Sequence, residues 1–229
     1  PNENNWKMSH SSIIPYTLDG VKMYVYSAVG GAYGIAAEGK DAGKILWEIN
    51  QWNHQVVAPS PVCLSDGRIF LTAGYGAGSM VLQISKQGDT FETQILNEYK
   101  PSEGLSSEQQ TPVVFNDHFF GIQPKDAGAL RNQMVCVHPD DFTNVIWSSG
   151  QTVRSGLGPY IIANNKFYIL SDDGTLTIAL PSTEEYIELD SYKVIDGHDA
   201  WGPLAIADGY LLMRDAKNML CLDIAKDRN

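Results

Sequence analysis

Apolar positions along the chain come in short runs separated by turn residues, and no window sustains the 3.6-residue spacing of an amphipathic helix. Five runs share one context: Met23-Tyr24-Val25-Tyr26, Ile69-Phe70-Leu71, Phe119-Phe120, Phe167-Tyr168-Ile169-Leu170 and Tyr210-Leu211-Leu212-Met213. Each follows a turn pair: Asp19-Gly20, Asp66-Gly67, Asn116-Asp117, Asn164-Asn165 or Asp208-Gly209. Such pairs tolerate the positive φ angles of two-residue hairpin loops, so each predicts a hairpin. Before each turn stands a proline, at Pro15, Pro61, Pro112, Pro159 and Pro203, spaced by 46, 51, 47 and 44 residues.

A third run follows in every repeat: Gly34-Ile35-Ala36-Ala37, Met80 to Ile84, Met134 to Val137, Leu176 to Leu180 and Met219 to Leu222. Four repeats carry a fourth: Ile45-Leu46-Trp47, Phe91 to Ile95, Val145-Ile146-Trp147 and Tyr186 to Leu189. Four antiparallel strands in a unit of about 45 residues is the period of a β-propeller blade. The sequence therefore predicts an all-β chain of five four-stranded blades in a single domain, 1–229. The blades fall near residues 8–51, 52–100, 101–150, 151–192 and 193–229.

Residues 37–47 sharpen this reading. Ala37, Gly43, Lys44 and Trp47 match four positions of AxDxxTGKxxW, while Gly39 and Ala42 replace its Asp and Thr. Trp147 holds the tryptophan position of the third repeat without the Gly-Lys, and Leu220-Cys221-Leu222-Asp223 is similar to the start of the same motif. The repeat thus resembles the quinoprotein-like (PQQ-like, BamB-like) β-propeller family, where this motif docks an indole between neighbouring blades. The resemblance implies a structural docking role for Trp47, Gly43, Lys44 and Trp147. Trp6 precedes Pro15 by nine residues, as Trp52 precedes Pro61. Trp6 is therefore expected just after the fourth strand of a further blade. With the family's usual blade number, the chain is read as the C-terminal part of a seven- or eight-bladed propeller, with missing N-terminal blades needed to close the ring.

The net charge of −11 disfavours nucleic acid as a partner. No apolar run reaches the roughly 20 residues of a membrane-spanning helix, and Pro1-Asn2-Glu3-Asn4-Asn5 lacks the pattern of a signal peptide. A periplasmic or extracellular location is implied by the resemblance alone. Cys63, Cys136 and Cys221 are odd in number, lack CxxC spacing and are read as buried free thiols within strands.

Quinoprotein dehydrogenases of this architecture bind pyrroloquinoline quinone beneath a Cys-Cys disulfide, beside calcium. No Cys-Cys pair occurs here and no calcium ligand set is legible, so no cofactor and no metal are expected. The other candidate chemistry lies just before the prolines. Five positions ahead of each stand His10, Val56, Ser107, Arg154 and His198, flanked by Glu108 and Asp199, with Gln110 and Trp201 two positions ahead of theirs. Equivalent positions of successive blades converge at a propeller's channel mouth. There His10, Arg154, His198, Asp199, Trp201, Glu108 and Gln110 are candidate ligands for a polar small molecule or glycan. The same groups could instead bridge blades and satisfy backbone atoms. Gly74 to Ser79 is read as a glycine-rich strand connection, Asp172-Asp173-Gly174 as a β-turn, and His54 and His138 as exposed loop histidines. The expected function is a non-catalytic binding or scaffolding module for a protein or polar ligand, the alternative a quinone-dependent oxidoreductase.

Overall fold

The computed structural model describes residues 3–225, which form two compact units divided between Pro112 and Val113. The first holds two four-stranded antiparallel meanders. One comprises β1 (Ile14–Leu18), β2 (Val21–Ala28), β3 (Gly31–Ala36) and β4 (Ile45–Ile49). The other comprises β5 (Val62–Cys63), β6 (Arg68–Ala73), β7 (Gly78–Gln87) and β8 (Thr90–Tyr99).

The second unit holds three meanders. The third sheet is β9 (Val113–Phe115), β10 (His118–Ile122), β11 (Met134–His138) and β12 (Asp141–Ser148). The fourth is β13 (Tyr160–Ala163), β14 (Lys166–Leu170), β15 (Thr175–Leu180) and β16 (Ile187–Lys193). The fifth is β17 (Ala205–Ala207), β18 (Tyr210–Arg214) and β19 (Met219–Asp223). These five sheets are those of β-propeller blades. Helix is confined, among the described residues, to two single 3-10 turns, Gly39–Asp41 and Gly128–Leu130.

Four of the five repeated turns place both central residues at positive φ: Asp19 and Gly20, Asn116 and Asp117, Asn164 and Asn165, Asp208 and Gly209. That is the backbone of a two-residue hairpin matched to strand twist. The second repeat differs. Only Gly67 has positive φ there; its N–H donates to Leu64 O, and Leu64 N–H donates to Arg68 O. The loop is thus a three-residue connection, a turn followed by a glycine bulge. Pro61, Pro112 and Pro159 immediately precede β5, β9 and β13, whereas Pro15 lies within β1, opposite Tyr24. These first strands are edges of their sheets, where a residue without an N–H is tolerated.

All four complete sheets share one irregularity. The pairing of third with fourth strand slips between Gly34 and Ile35, Val81 and Leu82, Cys136 and Val137, and Ile178 and Ala179. The residue opposite, just before the slip, is Trp47, Asn97, Trp147 or Asp190. A bulge locally increases twist and re-aims a side chain. In two blades that side chain is an indole. Trp47 enters a core built from the first and second sheets, with Met23, Val25, Ile69, Leu71 and Leu82. Trp147 enters one built from the third and fourth, with Phe120, Cys136, Tyr160 and Phe167. A third core joins the fourth and fifth sheets through Tyr168, Leu170, Leu211 and Met213.

Two readings need correction. Cys136 is buried within β11 and Cys63 half-buried in β5, but Cys221 is exposed, since it alternates with the core-facing Leu220 and Leu222 of β19. His138 is not a loop residue: it closes β11, half-buried, its ring edge-on to His118 at 5.3 Å.

Candidate functional site

The segment before each first strand is fixed by hydrogen bonds that explain its sequence. In the first unit Ser12 N donates to Ser60 Oγ (2.8 Å), and Ser60 N donates to Thr111 Oγ1 (2.8 Å), so small hydroxyl residues stitch three successive segments together. The end of a preceding second strand supplies a further anchor. Trp52 Nε1 donates to Ser27 Oγ (3.1 Å), and Ser107 N to Thr72 Oγ1 (2.8 Å). In the second unit Ala200 N donates to a backbone carbonyl instead, Asp172 O (3.2 Å), in the turn that follows β14.

On this frame the first unit carries His10, Val56, Ser107, Glu108 and Gln110. His10 is exposed and its backbone N–H donates to Val57 O at 2.9 Å; Val56 is also exposed. Ser107 and Glu108 are buried and Gln110 is half-buried. The Glu108 side chain lies directly on Gly74, where any Cβ would overlap it. The glycine-rich connection of residues 74–78 thereby admits a buried carboxyl side chain.

The second unit carries Arg154, His198, Asp199 and Trp201. The Arg154 guanidinium is half-buried and donates to two backbone carbonyls, Gln151 O (2.8 Å) and Arg131 O (3.0 Å). It braces two loops. His198 Nδ1 lies 2.7 Å from Asp199 Oδ2, and both side chains are exposed. Trp201 presents 41% of its surface. Around them the segment is rigidly seated: Ala200 is fully buried, Gly197 abuts the Asp215 carboxylate and Gly202 abuts Arg214. Asp215 accepts from the backbone N–H groups of Asn218 and Lys217, which hold its carboxyl below the usual carboxylate range. Asp172-Asp173-Gly174 is a turn closed by Gly174 N donating to Ser171 O.

Gly43 has φ +83° and donates to Ala36 O, and Lys44 O accepts from Ala36 N, so the Gly-Lys pair shapes the entry to β4. Lys44 Nζ pairs with Asp41 at 2.7 Å in solvent. Trp47 is buried, its Nε1 donating to Met23 Sδ, and Trp147 Nε1 donates to Ser182 O at 2.9 Å.

Two features escaped sequence reasoning. His54 stacks edge-on to Trp52 at 4.2 Å, and burial holds its pKa below the ordinary histidine value against the opposing pull of Glu98. A groove of about 1130 Å³ also lies along the outer face of the first sheet, lined by Trp6, Tyr26, Tyr33, Ile35 and Ile45 among others. Its only sequence signal was the half-exposed Trp6. Among the described residues no cluster of three or more His, Cys, Asp or Glu is arranged to hold a metal ion, and no helix is long and apolar enough to cross a membrane.

The fold places the chain among known propellers. It is similar to the β-propeller domain of Cps50 (Swd1) from Myceliophteria thermophila, with TM-score 0.60, 9% identity, and 89% of this chain and 66% of that one covered. It is similar to apo AztD from Citrobacter koseri, with TM-score 0.50, 16% identity and coverage of 93% and 57%. BamB from Moraxella catarrhalis matches with TM-score 0.44, 10% identity and coverage of 90% and 70%. The chain has the β-propeller fold. It spans 57% to 70% of these three structures. No protein-family model matches it, and no curated protein matches it in sequence.

Proposed function

We propose that this propeller chain is a non-catalytic binding or scaffolding module working outside the cytoplasm, as its quinoprotein-like blades suggest. The observation that carries the reading is the segment 196–202, where exposed His198, Asp199 and Trp201 stand on a backbone immobilised by buried Ala200 and two closely packed glycines. Loops held rigid by a scaffold are where propellers place recognition, and an exposed indole on an ordered loop is a contact group of low entropic cost. Arg154 donates to two backbone carbonyls, so in this reading it serves as a brace. The Asp199 carboxylate lies 2.7 Å from His198 Nδ1, and an exposed carboxylate there favours a hydroxyl-rich or protein ligand over a simple anion.

The test is a fluorescence titration of the chain with neutral oligosaccharides and with candidate folded proteins, repeated on Trp201→Ala. A saturable change lost in the variant supports the reading. Saturable absorbance changes with added pyrroloquinoline quinone and calcium, with dye-linked oxidation of an alcohol or sugar, would replace it with the oxidoreductase.

A further inference from the structure

We propose that a pocket at the boundary of the first and second sheets is a separate ligand site, which takes a small protonated amine on Glu98 and His54. The pocket holds about 360 Å³, within the roughly 300–1,000 Å³ of small-molecule sites. Gln51, Trp52 and His54, on the segment that leaves β4, line one side of it. Glu98 and Lys100, where β8 ends beside the start of β7, line the other. The pairing of Met80 with Glu98 and of Ser79 with Tyr99 fixes that second wall. The first is fixed by Trp52, which is buried in the core shared by the two sheets and donates from Nε1 to Ser27 Oγ at 3.1 Å. Every one of these residues belongs to the first unit.

Packing, not hydrogen bonding, seats the imidazole. The His54 ring lies edge-on to Trp52 at 4.2 Å, and among the described residues neither of its nitrogens has a hydrogen-bond partner. Burial keeps the ring neutral at about pH 7, so one nitrogen carries a proton and the other a lone pair. Glu98 is close enough to pull the His54 pKa upward against that burial, and among the described residues no cation pairs with its carboxylate. Lys100 is already engaged. Its Nζ pairs with Glu103 Oε1 at 3.0 Å, and its backbone N–H donates to Glu103 Oε2 at 3.1 Å. That pair cancels its own charge and leaves Glu98 as the unopposed charge of the pocket. An anion would have to displace Glu103 from Lys100 and would then face Glu98. A protonated amine needs no such exchange: its N–H groups donate to the Glu98 carboxylate and to the imidazole lone pair. Charge-assisted hydrogen bonds are roughly twice as strong as neutral ones, so an ammonium should outbind a hydroxyl of the same size. The exposed Gln51 amide both donates and accepts, which suits hydroxyl groups on the rest of such a ligand.

Calorimetric titration of the whole chain with D-glucamine, D-glucitol and D-gluconate tests this, because the three differ only in one terminal group: ammonium, hydroxyl or carboxylate. The expected result is saturable binding of glucamine, at least about tenfold tighter than of the other two. Glu98→Gln should bring glucamine to the level of glucitol. Glu92→Gln removes the same charge from an exposed position of the same strand outside the pocket, and should leave glucamine binding unchanged. Both positions are exposed, so both variants should keep the parent's circular dichroism and melting. In the parent, the His54 ring-proton resonances, identified by their loss in His54→Gln, should shift saturably with glucamine. A parent that binds no glucamine, or binds gluconate or glucitol as tightly, overturns the proposal. So does glucamine binding undiminished in Glu98→Gln, equal loss in Glu92→Gln, or a His54 resonance that does not move.

Discussion

At the scale of single residues, two tryptophans of similar visibility in the sequence do opposite work. Trp47 is turned inward by the slip opposite Gly34, where a larger residue would collide with the indole. Its removal leaves a cavity between two sheets, so Trp47→Ala should lower stability by about 3–5 kcal/mol in denaturant unfolding. Trp201→Ala, on an exposed side chain, should stay within roughly 0.5 kcal/mol of the parent; equal losses would show that Trp47 does not join the sheets. His54 gives a pH signature. Its pKa is lowered in the folded protein by burial, so the unfolded chain takes up the proton first as pH falls. Stability is therefore unaffected by this group above the unfolded value of about 6.5 and declines as pH drops towards the folded value. Denaturant midpoints at about pH 7 and about pH 5 should diverge less in His54→Gln than in the parent; an unchanged divergence removes His54 as the cause.

Among the elements, the hairpins were the most legible because a positive-φ turn has a narrow chemistry. Asn-Asn, Asn-Asp and Asp-Gly pairs announced four turns of one kind, and only the Asp66-Gly67 turn took another form, through a hydrogen bond from Gly67 to Leu64 that depends on loop length. The left-handed conformation still costs a residue with a Cβ, by roughly 1–2 kcal/mol before side-chain compensation. Asn165, at φ 57° in the β13–β14 turn, is half of such a pair. Asn165→Gly should raise the melting temperature by a few degrees, since 1 kcal/mol moves a domain of this size by about 2–4 °C. A lower melting temperature would mean that the Asn side chain holds the turn. The recurrent slip was not legible: it concerns which residues pair across β3–β4 and its equivalents, and pairing is set by neighbours distant in sequence. The site was legible by position and illegible by role for the same reason. Spacing from the prolines singled out Arg154 and Glu108, but only packing reveals that one braces carbonyls and the other lies buried on Gly74.

For the molecule as a whole, each repeat buries a sheet face against a neighbour, and net charge works against that packing. With 27 acidic against 16 basic residues, the chain carries about −11 at neutral pH, and like charges on a compact surface repel one another. The attraction between sheets is apolar, through side chains such as Leu71, Leu82, Phe120 and Leu211, and is insensitive to ionic screening. Repulsion between charges is sensitive, because the Debye length shrinks from about 30 Å at 0.01 M salt to about 10 Å at 0.1 M. Adding sodium chloride over that range should therefore raise the melting temperature of the chain. Exposed ion pairs such as Lys22–Glu38 and Lys193–Asp173 respond in the opposite sense. A melting temperature that falls as salt rises would show that such pairs outweigh the net repulsion.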